Sequence, residues 1–256
     1  MQELPGRARS SSRSAAGRSS AWLAVVLLSC ASGAISLGYQ VMWFRLYAER
    51  FGSTGLTFLL VLVGFIGGLG LGALASERLA APLSRVAALR HPLALVGALE
   101  LGIVATALLT LFLQSGGAGA GDAFPYHLDA RGIFEPDASL QLASIAGAAL
   151  MLLPTFLMGT TFPILCSVFR GRSVFPSELY GWNTLGAAAG VLLAEFVLLP
   201  YLGHSRAFLT LAGANVVLAL AFFVLARRAS VEASEDEEAG ARRAEARRGS
   251  KADRVA

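Results

Sequence analysis

Two carboxylates lie inside long apolar stretches of the sequence. Glu100 is the sole charged residue in residues 91–121, and Glu195 is the sole charged residue in residues 179–205. A carboxylate at the centre of a membrane helix costs about 2.5–3.5 kcal/mol on insertion scales, so such a residue is usually paired or functional. The functional interpretation of both residues is proton coupling or a cation-binding site.

Both carboxylates also allow a purely structural interpretation. Each is able to hydrogen-bond internally, to Asn183, to Gln40 or to a carbonyl freed at a helix kink. Glu195 is also able to extend toward the membrane interface. Asn183 and Gln40 are themselves candidate substrate-binding or ion-binding residues, although amides in membrane helices also join helices by hydrogen bonds worth about 0.6 kcal/mol each.

Tyr39 and Arg45 complete the set of candidate binding residues. Both belong to the aromatic and polar run at residues 39–45, a composition typical of the membrane interface. Arg45 is followed by Glu49 and Arg50, so a local salt bridge and a substrate contact would both account for it.

The sequence lacks recognisable catalytic motifs. It has no phosphate-binding loop with a lysine, no dinucleotide-binding glycine loop after a strand, and no Ser/His/Asp set in a polar domain. Cys30 and Cys166 have no metal-binding or disulfide-forming partner at a suitable spacing, and His91 and His204 have no metal-ligand spacing. We therefore expect no cofactor, no metal and no enzymatic activity from this chain alone.

The elements that position these residues are predicted to be membrane helices. Of the residues, 55% are hydrophobic and 15% are charged, whereas about 25% are charged in an average soluble domain. Roughly 20 apolar residues cross a bilayer as a helix, which pairs its own backbone groups. The sequence predicts an all-α polytopic membrane protein with six spans, at residues 21–43, 54–76, 92–113, 139–169, 179–202 and 207–225. They form a membrane domain at 21–226, between a disordered basic tail at 1–20 and a charged cytoplasmic tail at 227–256.

The positions of the basic residues predict the orientation of the chain. Most of the 21 Lys and Arg residues fall before the first span, after the sixth, and in the links after the second and fourth spans. The alternate links are poor in basic residues. The positive-inside rule therefore predicts a multi-pass protein of the plasma (inner) membrane with both termini in the cytoplasm.

Small residues form rows on two predicted spans. Gly64, Gly68 and Gly72 repeat every four residues in the second span, and Gly186 and Gly190 do so in the fifth. Such rows let another helix approach closely. The second and third spans also loosely resemble the fifth and sixth, which suggests an inverted 3+3 repeat of the kind found in secondary transporters.

The fourth span is predicted to be kinked or locally unwound. It contains Pro154 and Pro163, and each proline removes the N–H that would have bonded the carbonyl four residues earlier. Gly159 lies between them. Bent helices with freed carbonyls are places where transporters build binding sites.

Four motifs give the sequence a resemblance to a known family. Residues 36–46 (SLGYQVMWFRL) followed by 51–53 (FGS), residues 154–163 (PTFLMGTTFP), residues 180–187 (YGWNTLGA) and residues 198–203 (LLPYLG) are similar to the signatures of bacterial fused spermidine synthase-like proteins. These proteins join a membrane half like that of the major facilitator superfamily (MFS) to a cytoplasmic aminopropyltransferase domain. The similarity covers about residues 22–226.

The resemblance implies an MFS-like half of six helices and a connection with polyamines. Because the glycine-rich cofactor loop of the aminopropyltransferase domain is missing, a separately encoded enzyme is the expected partner. We expect a transporter-like module or a membrane partner in polyamine metabolism. The alternative is a structural or assembly subunit with no substrate. The lipid bilayer is the expected environment, a homodimer would complete an MFS-like carrier, and nucleic acid is not an expected partner.

Overall fold

The computed structural model describes residues 6–52, 55–116, 126–128, 134–136, 138–168 and 176–252. Within them, five helical segments are long and apolar enough to cross a membrane: Trp22–Glu49, Gly55–Leu83, Pro92–Leu113, Ile145–Ser167 and Pro176–Glu232. The protein is therefore helical, with the composition of a multi-pass membrane protein. The fifth and sixth predicted spans lie together in the last segment, so the predicted count of six differs from the five segments observed.

Along the described residues, the elements follow one another as six α-helices and one pair of short antiparallel strands. Their bounds are α1 Gly6–Phe51, α2 Gly55–Leu83, α3 Pro92–Gly116, β1 Tyr126–Leu128, β2 Phe134–Pro136, α4 Ala138–Ser167, α5 Pro176–Leu193 and α6 Leu199–Ala252. A 3₁₀ turn, Ala87–Leu89, precedes α3, and a π-helical turn, Ala194–Leu198, joins α5 to α6. The antiparallel strands β1 and β2 are an addition to the predicted loop.

Two terminal segments are more helical than their composition suggests. The backbone of residues 6–20 continues α1, whereas the sequence predicts a disordered tail at 1–20. Alanine and arginine have high helix propensity, so a helix that has already formed extends into such a segment at little cost. For the same reason α6 continues to Ala252 through the charged tail.

Close contact through glycine pairs α2 with α4. A Cβ at Gly64 would lie 3.1 Å from the carbonyl oxygen of Ala148, and a Cβ at Gly72 would overlap the carbonyl oxygen of Phe156. Gly159 of α4 likewise faces the backbone of Leu69. Because residue numbers rise together on the two helices, α2 and α4 run parallel.

A break in the backbone separates α5 from most of α6. Gly203 has φ 70° and ψ 171°, a conformation outside the helix that glycine adopts without a Cβ clash. Before the break, Gly186 and Gly190 face the backbone of Cys30 and Ala34 on α1, so α5 runs parallel to α1.

After Gly203 the chain runs in the opposite direction along α1. The ring Nε2 of His204 lies 2.9 Å from the carbonyl oxygen of Met42, whereas Leu211 contacts Gly38, which is earlier on α1. The segment after the break is therefore antiparallel to α1 and packs on the same helix as α5.

The fourth helix stays helical through its two prolines. The sequence predicts a kink or local unwinding here. α4 is continuous from Ala138 to Ser167, so no unwinding is observed at Pro154 or Pro163. The hydroxyl of Thr155 donates to the carbonyl oxygen of Met151 at 2.7 Å, in the turn that Pro154 weakens. This carbonyl is next to that of Leu150, which Pro154 leaves without its usual N–H donor, so the hydroxyl reinforces the turn without replacing the lost bond.

His91 caps the N-terminus of α3 in its neutral form, which predicts a pH-dependent stability. The backbone N–H of Leu93 donates to Nδ1 of His91 at 3.2 Å, and burial lowers the pKa of His91 below 6.5. The unfolded chain then binds more protons than the folded one, so stability is full above about pH 6.5 and falls as the pH drops below it.

We expect His91→Asn, which keeps a capping acceptor without titrating, to flatten this dependence in thermal unfolding between pH 5 and pH 8. An equal slope in both proteins would contradict this role.

Candidate functional site

A buried carboxylate lies where α1, α3 and α6 meet. Glu100 of α3 is only 1% exposed. Its Oε1 accepts a hydrogen bond from the hydroxyl of Ser32 on α1 at 2.8 Å. From α6, Nδ2 of Asn215 donates to the backbone carbonyl oxygen of Glu100 at 2.9 Å. Residues of α1 and α6 thus contact Glu100 inside an apolar segment of α3, the first through its carboxylate and the second through its backbone.

Unpartnered polar atoms lie on the α1 face that carries Ser32. The hydroxyls of Ser29 and Tyr39 and the indole N–H of Trp43 are buried, and each lacks a hydrogen-bond partner among the residues that the structure describes. Tyr39 lies two helical turns after Ser32 on α1. Buried polar groups are normally paired, so three unpaired ones on the helix face that also carries Ser32 are unusual and suit polar occupants such as water or a ligand.

Within the described part of the chain, no basic side chain forms a salt bridge with Glu100. A salt bridge is formed by Arg45 with the other membrane carboxylate, Glu195. An ionised carboxylate in a dry interior costs several kcal/mol unless a charge compensates it. The hydrogen bond that the carboxylate accepts from the neutral hydroxyl of Ser32 offsets only part of that cost. Glu100 therefore suits chemistry in which it accepts a proton or pairs with a bound cation.

A second polar cluster lies on the other side of α1, between α1, α2 and α5. Arg45 contacts Glu195 through Nη2 to Oε1 and through Nε to Oε2, the latter at 3.3 Å. Both residues line a cavity of about 410 Å³ that also contains Gln40. Three of the predicted binding residues therefore converge on one cavity.

The observed partner of Arg45 differs from the predicted one. The sequence suggests a local salt bridge with Glu49, but the carboxylate that Arg45 contacts comes from the π-helical turn after α5. The glycine contacts between α1 and α5 bring the two backbones close, and this proximity lets side chains from the two helices meet.

The hydrogen-bond partners of Glu100 were also not among those proposed from the sequence. Neither Asn183 nor Gln40 donates to it; the donors are Ser32 and Asn215. Asn183 instead packs its backbone carbonyl against Gly33, and its side chain is half-buried. Asn215 carries the same signal that singled out Asn183, an amide within an apolar stretch. Ser32 carries no signal, because serine is common in membrane helices.

Comparisons with known proteins give no family for the chain. No family model, no curated protein and no solved structure matches it. The resemblance to spermidine synthase-like proteins therefore stays a prediction.

A larger cavity, of about 740 Å³, opens between α2, α3 and α4 at the end of the molecule that holds the turn between α2 and α3. Its walls include both charged and hydroxyl-bearing side chains: Ser76, Glu77, Ser84, Arg90 and Ser167. Because these groups are hydrophilic, the cavity suits a water-filled vestibule. It lies at the N-terminal end of α3, and Glu100 is about two helical turns further along that helix.

The contact of Asn215 with Glu100 predicts a measurable loss of stability. Asn215 is 1% exposed, and its amide joins α6 to α3. We expect Asn215→Ala to lower the unfolding free energy in detergent by about 0.6 kcal/mol, the average for interhelical hydrogen bonds in membrane proteins. Thr210→Ala is the matched control, because Thr210 is exposed and its hydroxyl bonds only Arg206 of its own helix. Equal unfolding midpoints for the two variants would contradict the contact.

Proposed function

We propose that this protein is a transporter-like membrane module for small organic cations, with Glu100 as its central cation-binding or proton-binding group. The observation that carries the proposal is a carboxylate only 1% exposed, held by α1 and α6, with no basic partner among the described residues. Acidic residues at membrane depth mark ion and substrate pathways more often than structural contacts.

The proposal includes six membrane passes. The break at Gly203 divides the segment Pro176–Glu232 into one part parallel to α1 and one part antiparallel to it. Counting these parts separately gives six alternating passes, which places both termini on one side. The positive-inside rule favours the cytoplasm for that side, and the plasma (inner) membrane as the location.

The helix pairing supports an inverted 3+3 repeat. In such a repeat, α1, α2 and α3 correspond to α4, α5 and α6. The parallel pair α2–α4 then corresponds to the parallel pair α5–α1. In the first pair the close contacts are made by glycines of α2, and in the second by glycines of α5. By the same correspondence, the pair α3–α4 matches the pair α6–α1, and the pair α3–α6 matches itself. The helices of all three pairs are in contact. Inverted repeats of this kind are a common basis of alternating access in transporters.

Polyamines are the proposed substrate class. A buried acid attracts a protonated amine, and the hydrophilic vestibule gives such an amine a polar approach toward it. The four sequence motifs similar to spermidine synthase-like proteins point in the same direction. The module would then act with a separate aminopropyltransferase-like protein, and a homodimer would supply the second MFS-like half.

One observation favours the alternative, a structural or assembly subunit. Glu100 is enclosed and receives a hydrogen bond from Ser32, an arrangement that also suits a fixed helix-joining group. Such a subunit would bind a partner and move no solute.

Flux across proteoliposomes tests the proposed function. Purified protein is reconstituted and offered labelled putrescine and spermidine, with the dicarboxylate succinate as the control solute. The proposal predicts saturable uptake of the amines above that of protein-free vesicles, and no uptake of succinate. Amine uptake no faster than in empty vesicles would favour the structural subunit.

A further inference from the structure

The cavity of about 410 Å³ has a polar end and an apolar end. Arg45 and Glu195 form the polar end, and Phe58, at the start of α2, lies beside them. Leu62 lies one turn deeper along α2, and Val191 lies one turn before Glu195 on α5. The cavity therefore changes from an ion pair near the ends of the helices to mostly apolar walls, with the amide of Gln40 among them, nearer their centres.

The same cavity faces outward from the helix bundle. Phe58 is 54% exposed, and the side chains of Arg45 and Glu195 are 47% and 31% exposed. Phe44 stacks edge-on against Phe58 with ring centroids 5.9 Å apart, which forms a firm aromatic wall. In a bilayer, these exposed surfaces face lipid. Arg45 lies four residues before Glu49, the end of the apolar segment, and therefore near the headgroup level.

The ion pair leaves hydrogen-bonding capacity of both signs. Arg45 uses Nε and Nη2 toward Glu195, so its Nη1 donors remain for an acceptor such as a phosphate oxygen. A carboxylate has about four lone-pair sites, of which the pair uses two, so Glu195 is able to accept from an ammonium group. Gln40 adds an amide at the deeper level.

We propose that this cavity is a binding site for a zwitterionic glycerophospholipid of the surrounding bilayer. The phosphate contacts Arg45, the ammonium group contacts Glu195, the ester region reaches Gln40, and an acyl chain follows the apolar end. The cavity is distinct from the Glu100 cluster, because Gln40 and Arg45 lie on a different face of α1 from Ser32 and Tyr39. The lipid site is therefore independent of cation transport, and each is tested separately.

Lipid retention in native mass spectrometry tests the site. The protein is purified from nanodiscs of dioleoylphosphatidylethanolamine, of dioleoylphosphatidylglycerol, or of either lipid doped with dioleoylglycerol, which lacks phosphate. We expect one retained phosphatidylethanolamine, and an affinity about tenfold lower in Arg45→Gln, the scale of one charge-assisted hydrogen bond. Arg206→Gln is the matched control: it makes the same change of charge at an exposed position that does not line the cavity, and retention is expected to be unchanged.

A second variant keeps the test decisive if Arg45→Gln fails to fold. Glu195→Gln removes the acceptor for the ammonium group and leaves the Arg45 charge unbalanced, so the preference is expected to move from phosphatidylethanolamine to phosphatidylglycerol. Three results would overturn the proposal: equal retention of dioleoylglycerol, unchanged lipid preference in Glu195→Gln, or equally tight binding of soluble glycerophosphoethanolamine, which would make the cavity a solute site.

Discussion

Glu100→Gln is expected to reduce putrescine uptake by reconstituted protein at least about tenfold. The substitution keeps the size of the side chain and an oxygen that accepts from Ser32, so the contact between α1 and α3 survives. Among the residues that the structure describes, it removes the carboxylate at the junction of α1, α3 and α6. A loss of about 1.4 kcal/mol in the attraction for a protonated amine corresponds to a tenfold loss of binding.

The control for this experiment is Glu178→Gln. Glu178 lies exposed in the first turn of α5, so the chemical change is the same but the charge is in solvent. We expect wild-type uptake in this variant. The unfolding midpoint of Glu100→Gln is expected to be no lower than that of the wild type, because the substitution removes a buried charge that no basic side chain of the described residues neutralises. If Glu100→Gln transports putrescine at the wild-type rate, Glu100 is not the cation-binding group, and a helix-joining role accounts better for its burial.

Gly72→Ala is expected to destabilise the protein by about 1–3 kcal/mol, the usual cost of overpacking a closed interface. A Cβ there would overlap the backbone carbonyl oxygen of Phe156, and a backbone atom is unable to move aside as a flexible side chain does. The helices α2 and α4 would have to separate, and all their remaining contacts would loosen.

A second glycine of α2 provides the control. Gly70 has nothing within 4 Å of the position where its Cβ would lie, and it is exposed. Gly70→Ala is expected to leave stability unchanged or to raise it by about 0.5–1 kcal/mol, the gain in helix propensity. Thermal unfolding in one detergent measures both variants. Equal midpoints would contradict the close approach of α2 and α4.

Much of the fold could be predicted from the sequence, because the bilayer imposes simple requirements on length and polarity. The first four predicted spans overlap the observed helices α1 to α4, and Gly68 and Gly190 of the glycine rows face neighbouring helices. The hairpin of β1 and β2 was missed, because three-residue strands leave no periodic signal. The helical state of residues 6–20 was missed because composition alone does not show that an existing helix will extend.

The candidate site was only partly predictable. Charge inside an apolar stretch identified Glu100 and Glu195, but it does not show which residues face them. Arg45 and Glu195 are far apart in sequence and meet only because α1 and α5 pack closely through glycine. Ser32 and Asn215 join Glu100 from two further helices, a coincidence of three helix rotations that no local pattern encodes.

The most direct test of the six-pass topology is the side of the membrane on which the turn at Gly203 lies. In a background of Cys30→Ala and Cys166→Ala, single cysteines are placed at the exposed Ser205 and Ala88, and reporters are placed at the two termini. If the chain crosses the membrane six times, an impermeant maleimide labels Ser205→Cys in intact cells. It labels Ala88→Cys only after the cells are permeabilised. Both terminal reporters are then found in the cytoplasm. Terminal reporters on opposite sides, or Ser205→Cys and Ala88→Cys labelled from the same side, would contradict it.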